Sequence, residues 1–160
     1  IRHADIVKMA NVTMITSLAG MSPEGDYKNN LFYPFYLYSH NSHGVSLDVY
    51  TDCEKYSNEL FTDIPYLDVS ASLNDSTGHV IINVVNRHEK EAIPADIILQ
   101  SGDYTGTATV NEINAENIDA TNTRTKEEVN IDTKSVKFRE NSISYSFPAH
   151  SITQLMIPVK

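Results

Sequence analysis

The chain has 160 residues, of which 41% are hydrophobic and 21% charged, a composition suited to one ordinary domain with a buried core. Its net charge of −9, from 21 acidic against 12 basic residues with no Lys/Arg cluster, argues against a nucleic-acid partner. No apolar run nears the roughly 20 residues that cross a bilayer, so no membrane partner is expected, and the lone Cys53 can form neither an internal disulfide nor a zinc knuckle.

The first predicted element is a helix over Asp5 to Ile15, where Ile6, Ala10 and Met14 recur at four-residue spacing among good helix formers. Ile1 is not an initiator Met, and helical patterning begins without a leading tail. A chain cut from a longer one is expected to look like this, and its location in the cell stays unknown from sequence. "SLAGMSPEGDYKN" then supplies Gly20, Pro23 and Gly25 and reads as a loop. A second helix is predicted over Tyr33 to Asn41, with Pro34 in its first turn and Gly44 beyond its end, where a left-handed residue is wanted.

After Gly44 the pattern changes period. "VSLDVY", "YLDVSASL", "VIINVVN", "ADIILQ", "TGTATVNEI", "NSISYSF" and "SITQLMIPV" are short segments that alternate or run apolar, with "NDSTGH" as a turn between two of them. Asn114 to Thr133 is polar and reads as a long loop. Pro148, Ala149 and His150 divide the last two segments, which read as a hairpin joined at a corner. The chain is therefore expected to be mainly β, an antiparallel β-sandwich preceded by two helical segments.

Chemistry is harder to find. His40 and His43 stand three apart with His3 far upstream, and a metal site would need further ligands that the sequence does not offer. Neither metal nor cofactor is expected. Glu24 lies in a Pro/Gly loop, Glu54 and Glu59 flank Cys53, and Glu89 and Glu91 border a turn, all as solvated carboxylates. His88 and His150 fall at strand ends and read as turn or interface residues, while Asp48, Asp52 and Asp68 read as the outward face of strands. The aromatic run from Phe32 to Tyr38 has helical spacing and reads as packing.

"RHADIVKMAN", "FYPFYLYS", "GVSLDVY", "IPYLDVSASL", "INVVNRH" and "FPAHSITQL" occur here in the order found at the C-terminal end of α-L-arabinofuranosidases of glycoside hydrolase family 51, which the chain resembles along nearly its whole length. The resemblance implies a jelly-roll-like sandwich over 44–160. It also implies that 1–43 is the terminal helix–strand–helix portion of a (β/α)8 barrel that needs about 250 residues to be complete.

It implies, too, a parent enzyme that retains configuration and uses two glutamates about 5–5.5 Å apart to release arabinofuranosyl residues from arabinose-containing polysaccharide. In the family both glutamates lie upstream of these motifs, so no catalytic residue is expected here and the fragment alone should be inactive. A Gln before the "YPF" helix often reaches the sugar in the family. Counting back from Phe35 places Asn29 at that position, with the same amide but one methylene shorter, as a substrate-binding candidate in the intact protein. Implied partners are the barrel domain and further copies of the same enzyme. The alternative is a stand-alone carbohydrate-binding module, disfavoured because Trp is absent and the strands carry few aromatics.

Overall fold

Twelve strands and one helix emerge in a computed structural model that describes residues 1–12, 16, 18–21, 23–137 and 142–159. The first strands are minimal: β1 (Ala19–Gly20) pairs antiparallel with β2 (Tyr27–Lys28). Helix α1 follows over Phe32–Asn41, close to the predicted limits, with Pro34 inside its first turn and the Ser42 N–H donating back to the Tyr38 carbonyl.

The helix predicted over 5–15 does not form. Residues 2–6 make turns, 7–12 have no regular structure, and 13–15 lie outside the described residues. Ile6 and Met9 are each 77% exposed. A helix of that length draws most of its stability from packing an apolar face, and among the described residues Ile6 and Ala10 of that face are exposed.

Ten further strands build the body. β3 (Val45–Leu47), β6 (Leu67–Asn74), β7 (His79–Asn86), β9 (Thr107–Asn114), β10 (Asn130–Lys137) and β12 (Ile152–Pro158) form a six-stranded sheet in the order β10-β9-β12-β7-β6-β3. β8 (Ile93–Ile98) and β11 (Ser142–Phe147) form a two-stranded ribbon, and β4 (Lys55–Tyr56) with β5 (Ile64–Pro65) a small hairpin. Every pairing is antiparallel.

Alternation decides which side chains meet. Val80, Ile82 and Val84 of β7, Ala108 and Val110 of β9, and Leu155 and Ile157 of β12 share one face with Leu67 and Ala71. They pack against Ile143 and Phe147 of the ribbon, which makes the core of an antiparallel sandwich. The opposite face receives α1, whose Tyr33 and Leu37, one helical turn apart, join Ile113 and Val129.

Two sequence readings need correction. The polar stretch from Asn114 to Thr133 is not loop throughout, because β10 begins at Asn130 and pairs residue for residue with β9. Its side chains are mostly exposed, as befits an edge strand, so hydrophobic patterning could not reveal it. The last two strands, moreover, are not a hairpin. β11 pairs with β8 and β12 with β7 and β9, so the corner at Pro148–His150 carries the chain from one sheet to the other. Asn86 holds that corner. Its Nδ2 faces the carbonyls of Glu91, Phe147 and Pro148 at 3.0, 3.1 and 2.8 Å.

Candidate functional site

Asn29 sits between β2 and α1, and its backbone is held from both sides. Its N–H donates to the Leu18 carbonyl and its own carbonyl accepts from Phe32 N–H, each over 2.9 Å. Its side-chain Nδ2 donates to the Thr16 carbonyl at 2.7 Å. The β1–β2 ladder beneath it is tight, since the Tyr27 ring lies where a Cβ on Gly20 would stand. Lys28 places its ammonium 5.1 Å from the Phe32 ring centroid, which fixes the flank of the segment.

A second pair of amides lies beside Asn29 and was not singled out from sequence. Asn30 Nδ2 donates to the Ala120 carbonyl at 2.7 Å, and Asn122 N–H donates to Asn30 Oδ1 at 3.0 Å. Asn122, 3% exposed, accepts at Oδ1 from the N–H groups of Glu128 and Val129, both at 2.8 Å. Its Nδ2 reaches the carbonyls of Val129 and Lys28 at 2.7 and 3.2 Å and the Tyr33 hydroxyl at 3.4 Å. The Tyr33 hydroxyl in turn donates to Glu127. Burial first, then that hydrogen bond to the Glu127 carboxylate, pushes the Tyr33 hydroxyl up to about 12. These asparagines fall where sequence shows only polar residues; nothing in their spacing marks them.

The carboxylates are dispersed. Glu24 pairs with Arg124 at 3.4 Å, and Glu54, Glu59, Glu89 and Glu91 are exposed. Glu112, 9% exposed, lies on the core side of the sheet, where Oε2 accepts from the Tyr145 hydroxyl at 2.6 Å and Lys134 Nζ at 3.0 Å. Burial and the Glu112 bond hold the Tyr145 hydroxyl up at about 12. Burial lowers Lys134, but its hydrogen bonds with Tyr145 and Glu112 outweigh this and raise it. That carboxylate is committed to packing polar groups together.

The histidines serve local structure. The Tyr36 and His40 rings stack at 4.6 Å, and His3 contributes its carbonyl to the turn of residues 3–7. His150, with φ +43°, donates its N–H to the His88 carbonyl at 2.9 Å, while its ring nitrogens face the carbonyls of Glu89 and Ala115. Among the described residues no three His, Cys, Asp or Glu side chains converge as a metal-holding group. Asp68 is less outward than its strand position suggested, because it accepts from both Arg2 and Arg87.

Comparison with known proteins bears on all of this. The family model described as the alpha-L-arabinofuranosidase C-terminal domain matches residues 1–151. A probable alpha-L-arabinofuranosidase C of Aspergillus niger is 34% identical over 141 residues, covering 84% of this chain and 26% of its own. An intracellular exo-alpha-(1→5)-L-arabinofuranosidase of Halalkalibacterium halodurans is 32% identical over 97 residues, 58% of this chain and 19% of its own. The chain thus spans about a quarter of the length of these relatives.

Among solved structures, an alpha-L-arabinofuranosidase from Thermotoga maritima, in an arabinose complex, superposes with a TM-score of 0.86 at 20% identity. That match covers 97% of this chain and 35% of the other. Another arabinofuranosidase structure gives the same TM-score at 19% identity over 98% of this chain and 35% of its own. These likenesses carry the fold.

Proposed function

The chain belongs to the alpha-L-arabinofuranosidase C-terminal domain family, and on that premise we propose that it is the accessory sandwich of a retaining α-L-arabinofuranosidase. The observation that carries the reading is the family match over residues 1–151, which runs through both the Asn29 segment and the sandwich. In this reading the parent releases terminal arabinofuranosyl groups from arabinose-containing polysaccharide, with the two catalytic glutamates supplied from outside the chain. Residues 1–43 close a preceding (β/α)8 barrel, and 44–160 form a jelly-roll-like sandwich that supports it. Asn29 contributes an amide to the sugar site, where a side-chain amide can both donate to and accept from hydroxyls.

Support comes from the dispersed carboxylates. Glu54, Glu59, Glu89 and Glu91 are exposed, and Glu112 is engaged by Tyr145 and Lys134. The test compares two proteins on an aryl α-L-arabinofuranoside: the purified 160-residue chain and the full-length protein that carries it. The expected result is turnover by the second and none by the first. Turnover by the 160-residue chain, abolished by substituting a glutamate within it, would overturn the reading.

A further inference from the structure

The geometry points to Asn122 as a positioning residue for the sugar-contacting segment, with Asn30 as its counterpart; this rests on the reading of Asn29 given above. Asn29 is carried by a ladder of two residues per strand, too short to hold a binding group in place unaided. The missing rigidity comes from the sandwich. Residues on both sides of Asn29, namely Lys28, Asn30 and Tyr33, are each tied by hydrogen bonds to Asn122.

Asn122 can serve as a strut because its own position is fixed. Both lone pairs of Oδ1 are taken by Glu128 and Val129 N–H groups, and Val129 leads directly into β10. Its Nδ2 then has two hydrogens to divide between Val129, Lys28 and Tyr33. Asn30 completes a reciprocal rung, donating to Ala120 and accepting from Asn122. Nearly every one of these groups is at least partly buried, so water cannot readily replace a lost partner. The sheet edge therefore reaches across to the loop that presents Asn29, and the sandwich acts on sugar binding without touching sugar.

Asn122→Asp separates the two halves of this arrangement. It keeps the Oδ1 acceptor for the Glu128 and Val129 N–H groups but removes the Nδ2 donor to the Val129 and Lys28 carbonyls and to Tyr33. In the full-length protein, amide exchange at Asn29 and Phe32 should accelerate at least tenfold while Glu128 and Val129 stay protected. KM for an aryl α-L-arabinofuranoside should rise threefold or more with kcat within a factor of about two, as expected for lost uniform binding. A purely structural role would lower the folded fraction, and hence the maximal rate, without moving KM.

Asn30→Ala, which removes the reciprocal rung alone, should raise KM in the same direction and covers the case in which the first variant fails to fold. Asn29→Ala runs beside them. If it raises KM while neither clamp variant does, the positioning role is overturned and the reading of Asn29 stands. If the clamp variants raise KM and Asn29→Ala does not, the proposed route is wrong. If the unsubstituted protein does not turn over the arabinofuranoside, the functional reading falls and this inference with it.

Discussion

Gln154 Nε2 donates to Asn83 Oδ1 over 2.8 Å, on the face of the central sheet that α1 covers, and both side chains are fully buried. The same Nε2 reaches the Leu37 carbonyl at 3.2 Å, Asn41 Nδ2 donates to Gln154 Oε1 at 2.6 Å, and Asn83 Nδ2 donates to Ser42 Oγ at 3.0 Å. The helix is docked through a polar seam as well as through Tyr33 and Leu37. Gln154→Leu keeps the volume but strands Asn83 Oδ1 and Asn41 Nδ2. Each buried group left without a partner costs about 1–3 kcal/mol, so a loss of at least about 2 kcal/mol is expected in urea unfolding, with the denaturant slope unchanged. A neutral substitution would mean that the seam does not hold the helix.

Thr153, beside Gln154 on the same strand, presents the reverse case. It is completely buried, and among the described residues its Oγ1 has no hydrogen-bond partner. Thr153→Val replaces the hydroxyl with a methyl of similar size and is expected to stabilise the chain by about 1 kcal/mol. A clear loss of stability would show that the hydroxyl is satisfied.

The strands with β-branched residues on one face were legible because burial and alternation coincide there. Val80, Ile82 and Val84 face the ribbon, and so do Leu155 and Ile157. The buried asparagines and Gln154 were not, since a polar residue in an alternating strand reads as solvent-facing and only the arrival of a helix reverses that. Asn86 and Asn122 were invisible for a related reason: each is buried because its amide matches several backbone groups brought together from distant positions. The helix over Asp5–Ile15 failed in the other direction, its periodicity being real but its described apolar residues, Ile6 and Ala10, being exposed. Tertiary pairing also made an edge strand of Asn130–Lys137 that its own residues do not announce.

Gly44 leaves the helix and enters β3 with φ +92°, and a Cβ there would stand 2.0 Å from the Leu73 carbonyl oxygen. The sequence placed a left-handed glycine beyond the helix end; the structure adds that β6 backbone fills the space a side chain would need. Gly44→Ala is expected to cost about 2 kcal/mol or more, since strain at positive φ and a backbone clash add together. Thermal unfolding measures it. An unchanged midpoint would mean that the segment between α1 and β3 can shift freely.

Tyr33, Tyr38 and Tyr145 all have hydroxyls held up at about 12, each chiefly by burial, against an ordinary value of 10.0. Negative neighbours add to this: Glu127 at Tyr33, Asp68 at Tyr38 and Glu112 at Tyr145. Their raised values favour the folded state fully below pH 10. As pH rises from 10 towards 12 the unfolded chain releases protons that the native one keeps, so stability falls across that window. Urea midpoints should decline over it, and Tyr145→Phe should flatten part of the slope. Tyrosinate absorbance of the native protein should show these three hydroxyls titrating above the ordinary value of 10.0.

The segment 1–12 carries the apolar surface that the expected first helix would have buried. Ile6 and Met9 are 77% exposed and Val7 54%, although Arg2 is tied to Asp68 and Ser46 Oγ donates to the Ile1 carbonyl at 3.1 Å. Covering a large apolar side chain is worth about 1.5–3 kcal/mol, so the segment favours a second surface. α1, by contrast, already buries Tyr33 and Leu37 against the central sheet. The 160-residue chain is therefore expected to associate reversibly at high concentration. Ile6→Asn with Met9→Asn should shift it towards monomer, while the anchors at Arg2 and Ile1 stay in place. Sedimentation of the two proteins decides the matter. If the unsubstituted chain is monomeric at every concentration, this surface is too small to drive assembly.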